Sequence, residues 1–579
     1  MPIHNEDVAL IFDELADLLE IEEANPFRVR AYRNAARTVR TLGRELSQMV
    51  ADEEDLTELP GIGKDLAAKI KEILTTGHAA TLDKLHTEVP ASLEALLKIP
   101  GLGPKRVKTL YQDLHIETLA QLKTAARTGR LRELPGFGEK TEQRILDTIS
   151  TNHTVEHRML RHVARQFAEP LVTYLKMVPG VNEVVVAGSY RRGMETVGDL
   201  DILASTTGES PVMDRFVHYD EVAQVVSQGT TRATVVLRNG LQVDLRVVEQ
   251  HSFGAALHYF TGSKAHNIRV RRLGQQRGLK INEYGVFKLG KREEERVGGE
   301  TEASVFKAVG LPSIPPELRE GRGEIEAAQA GRLPRLIELS DLAGDLHVHT
   351  IVTDGRATIE EMARAARTFG LSYIAITDHT RSLTVARGLD VERLTQQIEE
   401  IDRLNEQLDG ITILKGSEVE ILEDGSLDLP ESILTRLDLV IGAVHSKFNL
   451  TVRKQTERIL RAMDSRYFTI LAHPSTRLLG EREAMAIDML QIIKAAHARG
   501  CYLELNSQPQ RLDLTDLYCQ AAKEAGVLVC INSDSHAPND FMLLEGGIEQ
   551  ARRGWLEKGD VLNTRPLKAL RKALRATMG

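Results

Sequence analysis

A glycine-serine pair and three aspartates in the middle of the chain have the types and spacing that bind a nucleoside triphosphate through two metal ions. Gly188-Ser189 precedes Asp199-Leu200-Asp201 by about ten residues, and Asp244 follows in a later apolar segment. Carboxylate oxygens suit Mg²⁺ or Mn²⁺, and two such ions can hold the attacking and leaving oxygens of an in-line phosphoryl displacement. The pattern predicts nucleotidyl transfer.

Short strands must position these carboxylates. Three segments have the composition of short apolar strands: 184–187, 200–203 and 241–248. Alternate residues of a strand share one face, so Asp199 and Asp201 point the same way, and Asp244 can join them if its strand is a neighbour. A lone Asp-x-Asp pair is usually a solvated strand edge. The nearby turn favours the metal site, because its N–H groups and the guanidinium groups of Arg191 and Arg192 can bind pyrophosphate.

The composition predicts several domains and only a local nucleic-acid surface. With 579 residues the chain is long enough for about four domains, and its formal net charge is −9. Between residues 27 and 44 arginines recur without an acidic residue: Arg28, Arg30, Arg33, Arg37, Arg40 and Arg44. Such a stripe favours contact with phosphates over a merely solvated helix face.

Cysteine use and the N-terminus indicate a cytoplasmic protein. Cys501, Cys519 and Cys530 form no spaced framework, so we expect a reducing compartment and core thiols. The N-terminus lacks a basic start followed by an apolar core, and no apolar run approaches membrane-spanning length. We therefore expect no membrane contact.

The region from residue 7 to about 150 is predicted to be helical and to repeat a hairpin. Three turns share the pattern Leu/Ile-Pro-Gly-x-Gly, at 59–63, 99–103 and 134–138. Their glycines would let backbone amides approach a DNA phosphate without an intervening Cβ: Gly61, Gly63, Gly101, Gly103, Gly136 and Gly138. A packed turn between helices would explain one copy, but three copies with basic residues after them favour binding of the DNA backbone.

These segments together resemble the family X DNA polymerases, the group of polymerase beta. The resemblance rests on Asn25–Ala36, the first hairpin, the Gly-Ser-Tyr-Arg-Arg-Gly turn with Gly198–Asp201, Tyr259–Ser263 and the segment 310–319. It covers residues from near 7 to about 320. It implies a lyase-like helical domain at 1–80, a helical fingers or DNA-binding domain at 81–152, a nucleotidyltransferase palm at 153–258 and a thumb at 259–320.

The resemblance also implies roles for individual residues. The ligands of both catalytic metals would be Asp199, Asp201 and Asp244. Residues that contact the incoming nucleotide or the new base pair would be Gly188, Ser189, Arg192, Tyr259, Phe260, Gly262, Asn267 and Arg271. Lys264 stands where polymerase beta has an acid, which predicts a stronger electrostatic contact with the nucleotide.

A lyase activity is left open by two residues of the first helical domain. Lys69 falls where polymerase beta forms a Schiff base with an abasic sugar, and this chemistry requires a lysine whose pKa is lowered by neighbouring cations. Asp65 stands where a second lysine would be expected, and an acid there would keep Lys69 protonated. Binding of a 5′-phosphate by Arg28, Arg30 and Lys69 is the firmer prediction.

After a predicted linker at 321–340, the region 341–579 alternates buried strands with amphipathic helices. The strands are expected at 345–349, 373–379, 411–418, 439–445, 468–473, 501–506 and 527–536, and helices at 359–369, 391–408 and 487–499. This alternation is typical of an α/β barrel, whose chemistry lies at the carboxyl ends of the strands.

Nine side chains of metal-ligand type lie at these strand ends: His347, His349, Asp354, His379, Glu418, His445, His473, Asp534 and His536. A single buried histidine is more often a hydrogen-bonded core residue, but nine exceed what one or two ions can use. Mixed imidazole and carboxylate ligands suit zinc, manganese or iron, and bridged metals lower the pKa of a shared water. Asp378 is expected to orient a ligand rather than to bind metal.

This half resembles the PHP (polymerase and histidinol phosphatase) domain, on the opening segment Asp345–Thr350 with Thr353-Asp354-Gly355. The resemblance implies a distorted barrel with three metals. One would bind His347, His349, Glu418 and Asp534; the next Glu418, His445 and His536; and the third Asp354, His379 and His473. The fusion resembles the bacterial branch of the family, in which this domain supplies a manganese-dependent 3′-5′ exonuclease and sometimes a 3′-phosphatase or abasic-site endonuclease.

The leading prediction is a monomeric, multidomain α+β and α/β enzyme of the bacterial cytoplasm that fills short gaps in repair. Its partners would be gapped or primed DNA and deoxynucleoside triphosphates, with Mg²⁺ or Mn²⁺ at the palm and up to three Mn²⁺, Zn²⁺ or iron ions at the PHP site. Two alternatives stay open: a nucleotidyltransferase fused to a small-molecule phosphoesterase of the histidinol-phosphatase type, and a DNA-end-binding scaffold whose catalytic sites are silent.

Overall fold

Helices build the N-terminal region of the computed structural model, as the spacing of its apolar residues predicts. The structure describes residues 3, 5–22, 24–40, 42, 46–88, 92–97, 99, 102–134, 137–138, 141–143, 145–146, 158–289 and 294–578. The helices of this region are Asn5–Ile21, Pro26–Arg40, Leu46–Ala51, Lys64–Thr76, Ala80–Glu88, Ser92–Leu97, Pro104–Leu114 and Leu119–Arg127. Their apolar faces share one core, in which the rings of Phe12 and Tyr32 pack edge to face, 5.7 Å apart.

The chain divides into two compact units. One comprises Met1–Met159 with Asp220–Gln224 and Val236–Gln242, and the other comprises Leu160–Tyr219, Val225–Val235 and Val243–Gly579. The second unit contains both predicted metal sites.

The described residues of the three hairpin turns share one backbone hydrogen bond. In each, a backbone N–H donates to the carbonyl three residues earlier: Ile62 to Leu59 (3.0 Å), Leu102 to Ile99 (2.9 Å) and Phe137 to Leu134 (3.1 Å). The predicted repeat is therefore confirmed at the level of the backbone. Gly101 and Gly136 lie outside the described residues.

The described hairpin glycines have the properties that close approach of a phosphate needs. Gly63 and Gly103 are the N-caps of helices Lys64–Thr76 and Pro104–Leu114. A Cβ added at Gly63, Gly103 or Gly138 would meet no described atom within 4 Å, so their outer faces are open. Gly61 has a φ of +67°, which glycine adopts without strain.

The palm region is a five-stranded sheet. Its strands lie in the spatial order Val181–Val186, Asp199–Thr206, Gln242–Glu249, Arg232–Leu237 and Val222–Gln228. The aspartate-bearing strands are therefore neighbours, as the sequence argument requires. The last two strands were not predicted. Val222–Gln228 is an edge strand, and its mostly exposed residues lack the apolar alternation that indicates a strand.

Helices and a small antiparallel sheet complete the central region. The helices are Arg161–Lys176, Gly188–Arg191, Val212–Val217, Phe253–Thr261, Lys264–Gln276 and Glu302–Ala308. The sheet consists of Glu294–Gly298, Gly285–Leu289 and Leu279–Asn282 in that order, and a separate short pair joins Met159–Leu160 with Thr196–Val197. The predicted linker contains helix Glu324–Gln329, where the carboxylate of Glu324 lies 2.7 Å from the ring of His266 with both side chains fully buried.

The C-terminal region is a closed barrel of parallel strands. One sheet contains Gly344–Val348, Tyr373–Ile376 and Thr412–Lys415, and the other contains Glu418–Glu420, Ile441–Ala443, Ile470–Leu471, Tyr502–Asn506 and Val529–Asn532. Parallel bridges from His379 to Glu418 and from Val348 to Ser535 join the two sheets at both ends. The predicted barrel is therefore confirmed.

Helices surround this barrel. They are Ile359–Phe369, Val391–Gln407, Glu431–Leu434, Val452–Met463, Met489–Arg499, Asp516–Glu524, Leu544–Arg553 and Leu567–Met578. One expectation was wrong: the strand predicted at 411–418 is two strands. A Cβ at Gly416 would lie 2.9 Å from the carbonyl oxygen of Ile376, so the chain passes too close to its neighbour there to continue as a regular strand.

Two further expectations concern the cysteines and the membrane. Cys501, Cys519 and Cys530 are free and buried, as predicted. Of the helices in the described part of the chain, none combines the length and the hydropathy needed to cross a bilayer.

Candidate active sites

The palm site is built on two adjacent strands. Asp199 and Asp201 lie two residues apart on one strand, and Asp244 lies on the next. Burial, followed by the charges of Asp199 and Asp244, raises the pKa of Asp201 to about 6. The three carboxylates are therefore close enough to repel one another, which is the condition that a bound cation relieves.

The carboxylate of Asp244 is held by the strand beside it. Its Oδ1 accepts hydrogen bonds from the hydroxyl of Thr234 (2.5 Å) and from Arg232 (3.2 Å). Both partners come from a strand that the sequence did not predict, so these contacts could not be anticipated. They fix the orientation of the third carboxylate.

Gly188 brings the backbone against the metal carboxylates. Its φ is +60°, and a Cβ there would lie 2.3 Å from Oδ2 of Asp201. Any other residue would displace that carboxylate, so the position requires glycine. The helical turn Gly188–Arg191 thus starts beside Asp201, where its first N–H groups can meet a phosphate.

The two arginines of this turn have different environments. Arg191 makes a two-pronged contact with Glu302 (2.9 and 2.7 Å) and also donates to the hydroxyl of Thr261 (2.8 Å). The guanidinium group of Arg191 therefore pairs with an acid of the thumb region, and its contact with pyrophosphate stays a prediction. Arg192 donates from Nε to Glu320 (2.9 Å) and from Nη1 to the carbonyl of Thr261 (2.9 Å).

The predicted nucleotide wall is a pair of aromatic rings that meet edge to face, with a cation over each ring. The rings of Tyr259 and Phe260 are 5.0 Å apart, with Arg271 over Tyr259 at 5.1 Å and Arg246 over Phe260 at 4.4 Å. Such cation–π contacts fix the aromatic faces.

Asn267 holds the bend behind this wall. Its Nδ2 donates to the carbonyls of Tyr259 (2.7 Å) and Gly262 (3.1 Å), and a Cβ at Gly262 would lie 2.5 Å from its Oδ1. Lys264 begins the next helix, which Ser263 caps. Contact of Asn267 and Lys264 with the nucleotide stays a prediction.

The arginine stripe is only partly available to DNA. Arg33 pairs with Asp17 (2.8 Å) and Glu20 (2.7 Å), and Arg40 pairs with Asp13 (2.8 Å). The absence of nearby acids in sequence was misleading, since these acids lie on helix Asn5–Ile21, which packs alongside the arginine helix. Arg44 lies outside the described residues.

The two arginines chosen for 5′-phosphate binding are exposed. Arg28 and Arg30 both face solvent, and Arg30 stacks over the exposed ring of Phe27 at 4.6 Å. Lys69 contacts Asp65, with Nζ to Oδ1 at 2.6 Å; the lysine side chain is 14% exposed and that of Asp65 is 80% exposed. The expected pairing of Lys69 with an acid is therefore present.

Glu418 is the centre of the C-terminal site. Its Oε1 lies 2.9 Å from Nε2 of His473 and 3.3 Å from Nε2 of His445. Its Oε2 lies 2.8 Å from Nδ1 of His379 and 3.4 Å from Nε2 of His347. Nε2 of His349 lies 3.6 Å from the same Oε2. One fully buried carboxylate thus faces five imidazoles, the arrangement of a carboxylate that bridges metals.

Asp354 and Asp534 complete the site on the other side. Asp354 Oδ2 lies 3.3 Å from Nε2 of His379 and 3.6 Å from Nε2 of His536. Asp534 Oδ1 lies 3.1 Å from Nε2 of His349. All nine predicted side chains are therefore brought together at one end of the barrel.

Their grouping differs from the expectation, most clearly at His473 and His536. The sequence reading placed His536 with Glu418 and His473 with Asp354, but the structure exchanges these two histidines. Three sets have ligand atoms within 4.8 Å of one another: His349, Asp354, His379 and His536; His347, His349 and Asp534; and His379, Glu418 and His445. The bridge from Val348 to Ser535 explains the exchange, because it carries His536 to the loop of Asp354.

Outer carboxylates orient the histidines. Nδ1 of His347 lies 2.7 Å from Glu504, and Nδ1 of His445 lies 2.9 Å from Glu420. These contacts direct Nε2 of each ring inward, as the second shell of a metal site does. Sequence reasoning missed both glutamates, although Glu504 lies in the strand-end segment 501–506.

Unused ring nitrogens indicate that the site fits metal ions. Within the described residues, Nε2 of His347, both nitrogens of His349 and Nδ1 of His473 are buried without a hydrogen bond. Buried polar atoms are rarely left unpaired. Asp534 and His473 also have positive φ values of 54° and 26°, and such backbone strain is concentrated at functional sites.

The acidic and imidazole groups of this site shift one another's pKa values. Burial would lower the pKa of His379, but Glu418 and Asp354 outweigh it and raise the pKa to about 10. Asp354 and Asp534 likewise raise the pKa of His536 to about 9 against burial. Burial would raise the pKa of Glu418, but the surrounding histidines hold it well below its usual value. Cations can replace the protons of these histidines, so metal binding is expected to release them.

Asp378 orients a loop rather than a ligand ring. Its carboxylate accepts hydrogen bonds from the N–H (2.8 Å) and hydroxyl (2.6 Å) of Thr350, from the hydroxyl of Thr353 and from Gln397 (2.5 Å). It therefore fixes the loop that leads to Asp354. The orienting role predicted for Asp378 therefore acts on this loop.

The fold and the two sites define a nucleotidyltransferase that carries a second, barrel-type metal centre. Five family profiles match the chain: a helix-hairpin-helix domain at 3–79, a SAM-like helix-hairpin-helix tandem at 93–151, a DNA polymerase beta palm at 158–272, a DNA polymerase beta thumb at 256–320 and a PHP domain at 345–508.

Individual proteins match the whole chain or one half of it. The chain is 38% identical to the "DNA polymerase/3'-5' exonuclease PolX" of Bacillus subtilis over 568 residues, 98% of each chain. It is 26% identical to DNA polymerase lambda of Rattus norvegicus over 52% of this chain and 53% of that one. A probable phosphatase of Thermoanaerobacter sp. is 32% identical over 38% of this chain and 89% of its own length. The chain belongs to the family X DNA polymerases with a C-terminal PHP domain.

Proposed function

We propose that this chain is a DNA-directed DNA polymerase that fills short gaps in repair and resects 3′ ends with its PHP site. The observation that carries the proposal is the presence of both sites in one chain that is 38% identical, over 98% of its length, to a protein named as polymerase and 3′-5′ exonuclease. The DNA substrate would place the enzyme at the bacterial nucleoid during repair.

The palm residues would act on the incoming nucleotide. Asp199, Asp201 and Asp244 would hold the Mg²⁺ or Mn²⁺ ions, which supply electrostatic stabilisation of the in-line displacement. The backbone at Gly188 and Ser189 and the guanidinium group of Arg192 would bind the triphosphate. The wall of Tyr259 and Phe260, with the bend at Gly262, would exclude a ribose hydroxyl.

The N-terminal region would bind the gapped duplex. The open glycines of the three hairpins favour contact with the DNA backbone independently of sequence. Exposed Arg28 and Arg30 would bind the 5′-phosphate of the gap together with Lys69. The contact with Asp65 occupies the amine that a lyase would use as its nucleophile, so we propose 5′-phosphate binding as the main role of Lys69.

The PHP residues would hydrolyse the terminal phosphodiester. The nine clustered side chains would hold up to three Mn²⁺, Zn²⁺ or iron ions, which supply a hydroxide nucleophile from bound water. Glu504 and Glu420 would keep the rings of His347 and His445 in the ligating tautomer. Burial of the site would keep bulk water from the ligands.

A second candidate for the PHP site is phosphomonoester hydrolysis. It is favoured by the probable phosphatase of Thermoanaerobacter sp., whose similarity covers the PHP half alone. The substrate would then be a DNA 3′-phosphate or a small molecule of the histidinol-phosphate type.

A duplex with a short gap and a labelled primer 3′ end tests both proposals. With Mg²⁺ and nucleotides the primer should lengthen, and with Mn²⁺ alone it should shorten one nucleotide at a time. A primer that ends in 3′-phosphate separates the second candidate, which predicts loss of the phosphate without shortening. Shortening alone under every condition would refute the polymerase proposal.

A further inference from the structure

The loop expected to bind the triphosphate is held from behind by the PHP half of the chain. Helix Leu544–Arg553 lies against this loop, where a Cβ at Gly193 would be only 3.6 Å from Cδ of Arg553. Arg553 donates from Nη1 to the backbone carbonyl of Arg192 (2.8 Å). The strand-to-helix turn that carries Arg192 is thus bonded directly to the other half of the molecule.

Glu320 connects the two arginines. Its Oε1 accepts from Nε of Arg192 (2.9 Å) and from Nη1 of Arg553 (2.8 Å). The Arg553 side chain is 2% exposed, and those of Glu320 and Arg192 are each 14% exposed. Buried charges of this kind keep one geometry, because each loses its partner's charge if it moves.

The chain of contacts is anchored at its far end. Nη2 of Arg553 donates to Oδ2 of Asp516 (2.8 Å), and the same oxygen accepts from Arg322 (2.8 Å). Burial would raise the pKa of Glu320, but the charges of Arg192 and Arg553 outweigh it and lower the pKa. Glu320 is therefore an anion shared between the nucleotide site and the PHP helix.

We propose that Glu320 and Arg553 are positioning residues for Arg192, so that the PHP half is a structural part of the polymerase nucleotide site. This inference rests on the proposed function, in which Arg192 contacts the triphosphate. Hydrogen bonds at Nε and Nη1 fix the plane of the Arg192 guanidinium group. Within the described residues Nη2 makes no hydrogen bond, so we expect this nitrogen to donate to a phosphate oxygen.

Loss of this support should weaken nucleotide binding more than chemistry. An Arg192 side chain without its partner can adopt other rotamers, and it must be ordered again each time a nucleotide binds. A contact made equally in the ground state and in the transition state changes KM with little change in kcat. Resection at the PHP metals does not use Arg192 and should not change.

The test uses the full-length protein with Arg553→Lys and Glu320→Gln, which preserve size. Arg552→Ala is the matched control, because Arg552 is the next residue on the same helix and pairs with Glu317 (2.7 Å) without contacting Arg192. The readouts are the Kd of a non-hydrolysable deoxynucleoside triphosphate, KM and kcat for gap filling, and Mn²⁺-dependent resection.

We expect Kd and KM to rise about tenfold in both variants, kcat to stay within about threefold and resection to be unchanged. Arg552→Ala should leave Kd and KM within about twofold of the wild type. Unchanged Kd in both variants, or an equal rise in Arg552→Ala, would overturn the inference. Failure of the wild type to extend a primer would instead refute the proposed function, while the Kd values would still decide the positioning role.

Discussion

The two metal sites of this chain differ in the number of ligand side chains that the protein supplies. The palm offers three aspartates on two strands, with a glycine backbone packed against one of them. The PHP site offers nine side chains, and among the described residues the sets with ligand atoms within 4.8 Å lie only there. The palm therefore offers fewer protein ligands than the PHP site, and we expect the phosphates of a bound nucleotide to supply the remaining ligands of its metals.

The largest effect should come from removing a ligand of the PHP site. His347→Ala deletes a ring that faces both Glu418 and Asp534. We expect resection to fall by more than about a thousandfold, since even outer partners of metal ligands are worth about 10- to 100-fold. Metal content measured by mass spectrometry should fall as well. Gap filling that dropped in parallel would show that the two sites are not independent.

A smaller effect should come from an outer residue of the same site. Glu504→Gln keeps the shape of the side chain but removes the charge that orients His347. We expect metal affinity, measured by chelator competition, to fall by about 10- to 100-fold. Glu360→Gln, which alters an exposed helical ion pair, is the control and should have no effect. Unchanged metal affinity in Glu504→Gln would mean that the charge of Glu504 does not contribute to metal binding.

The palm aspartates should destabilise the metal-free protein in a pH-dependent way. The pKa of Asp201 is raised from 3.8 to about 6, so its ionisation costs stability as pH rises from about 4 to 6, and the cost persists at higher pH. Asp201→Asn in chelator should therefore raise the free energy of unfolding at pH 8 by at most about 3 kcal/mol, seen as a higher melting temperature. At pH 4 the melting temperature should be unchanged. Stabilisation at pH 4 of equal size would contradict the charge repulsion. The variant should also lose gap filling.

The smallest effect should lie outside both metal sites. Asp65→Ala removes the acid 2.6 Å from Lys69, which should free the amine to attack an abasic sugar and raise borohydride trapping on abasic-site DNA several-fold. Asp65→Ala/Lys69→Ala provides the control, since trapping should disappear. Trapping that persists in the double variant would identify a different nucleophile.

The sequence was most informative where local pattern determines structure. The alternation in strands placed Asp199 and Asp201 together, and the nine barrel ligands follow from strand ends alone. Helix Ile359–Phe369 has the predicted bounds, and the hairpins repeat as predicted. These features depend on residues close together in the chain.

Contacts between distant segments were beyond such reasoning. The exchange of His473 and His536 depends on how the barrel closes, and the pairing of Arg33 with Asp17 depends on how two helices pack. The link from Arg192 through Glu320 to Arg553 joins residues more than two hundred positions apart. The periodicity of a sequence does not predict contacts of this kind.

The most direct test of two separate metal sites compares two variants in two assays on a 3′-labelled gapped duplex. Asp199→Ala and His347→Ala are each assayed for extension in Mg²⁺ with nucleotides and for resection in Mn²⁺ without them. We predict that Asp199→Ala loses extension and keeps resection, and that His347→Ala shows the reverse. Loss of both activities in either variant, or persistence of resection in His347→Ala, would contradict the account.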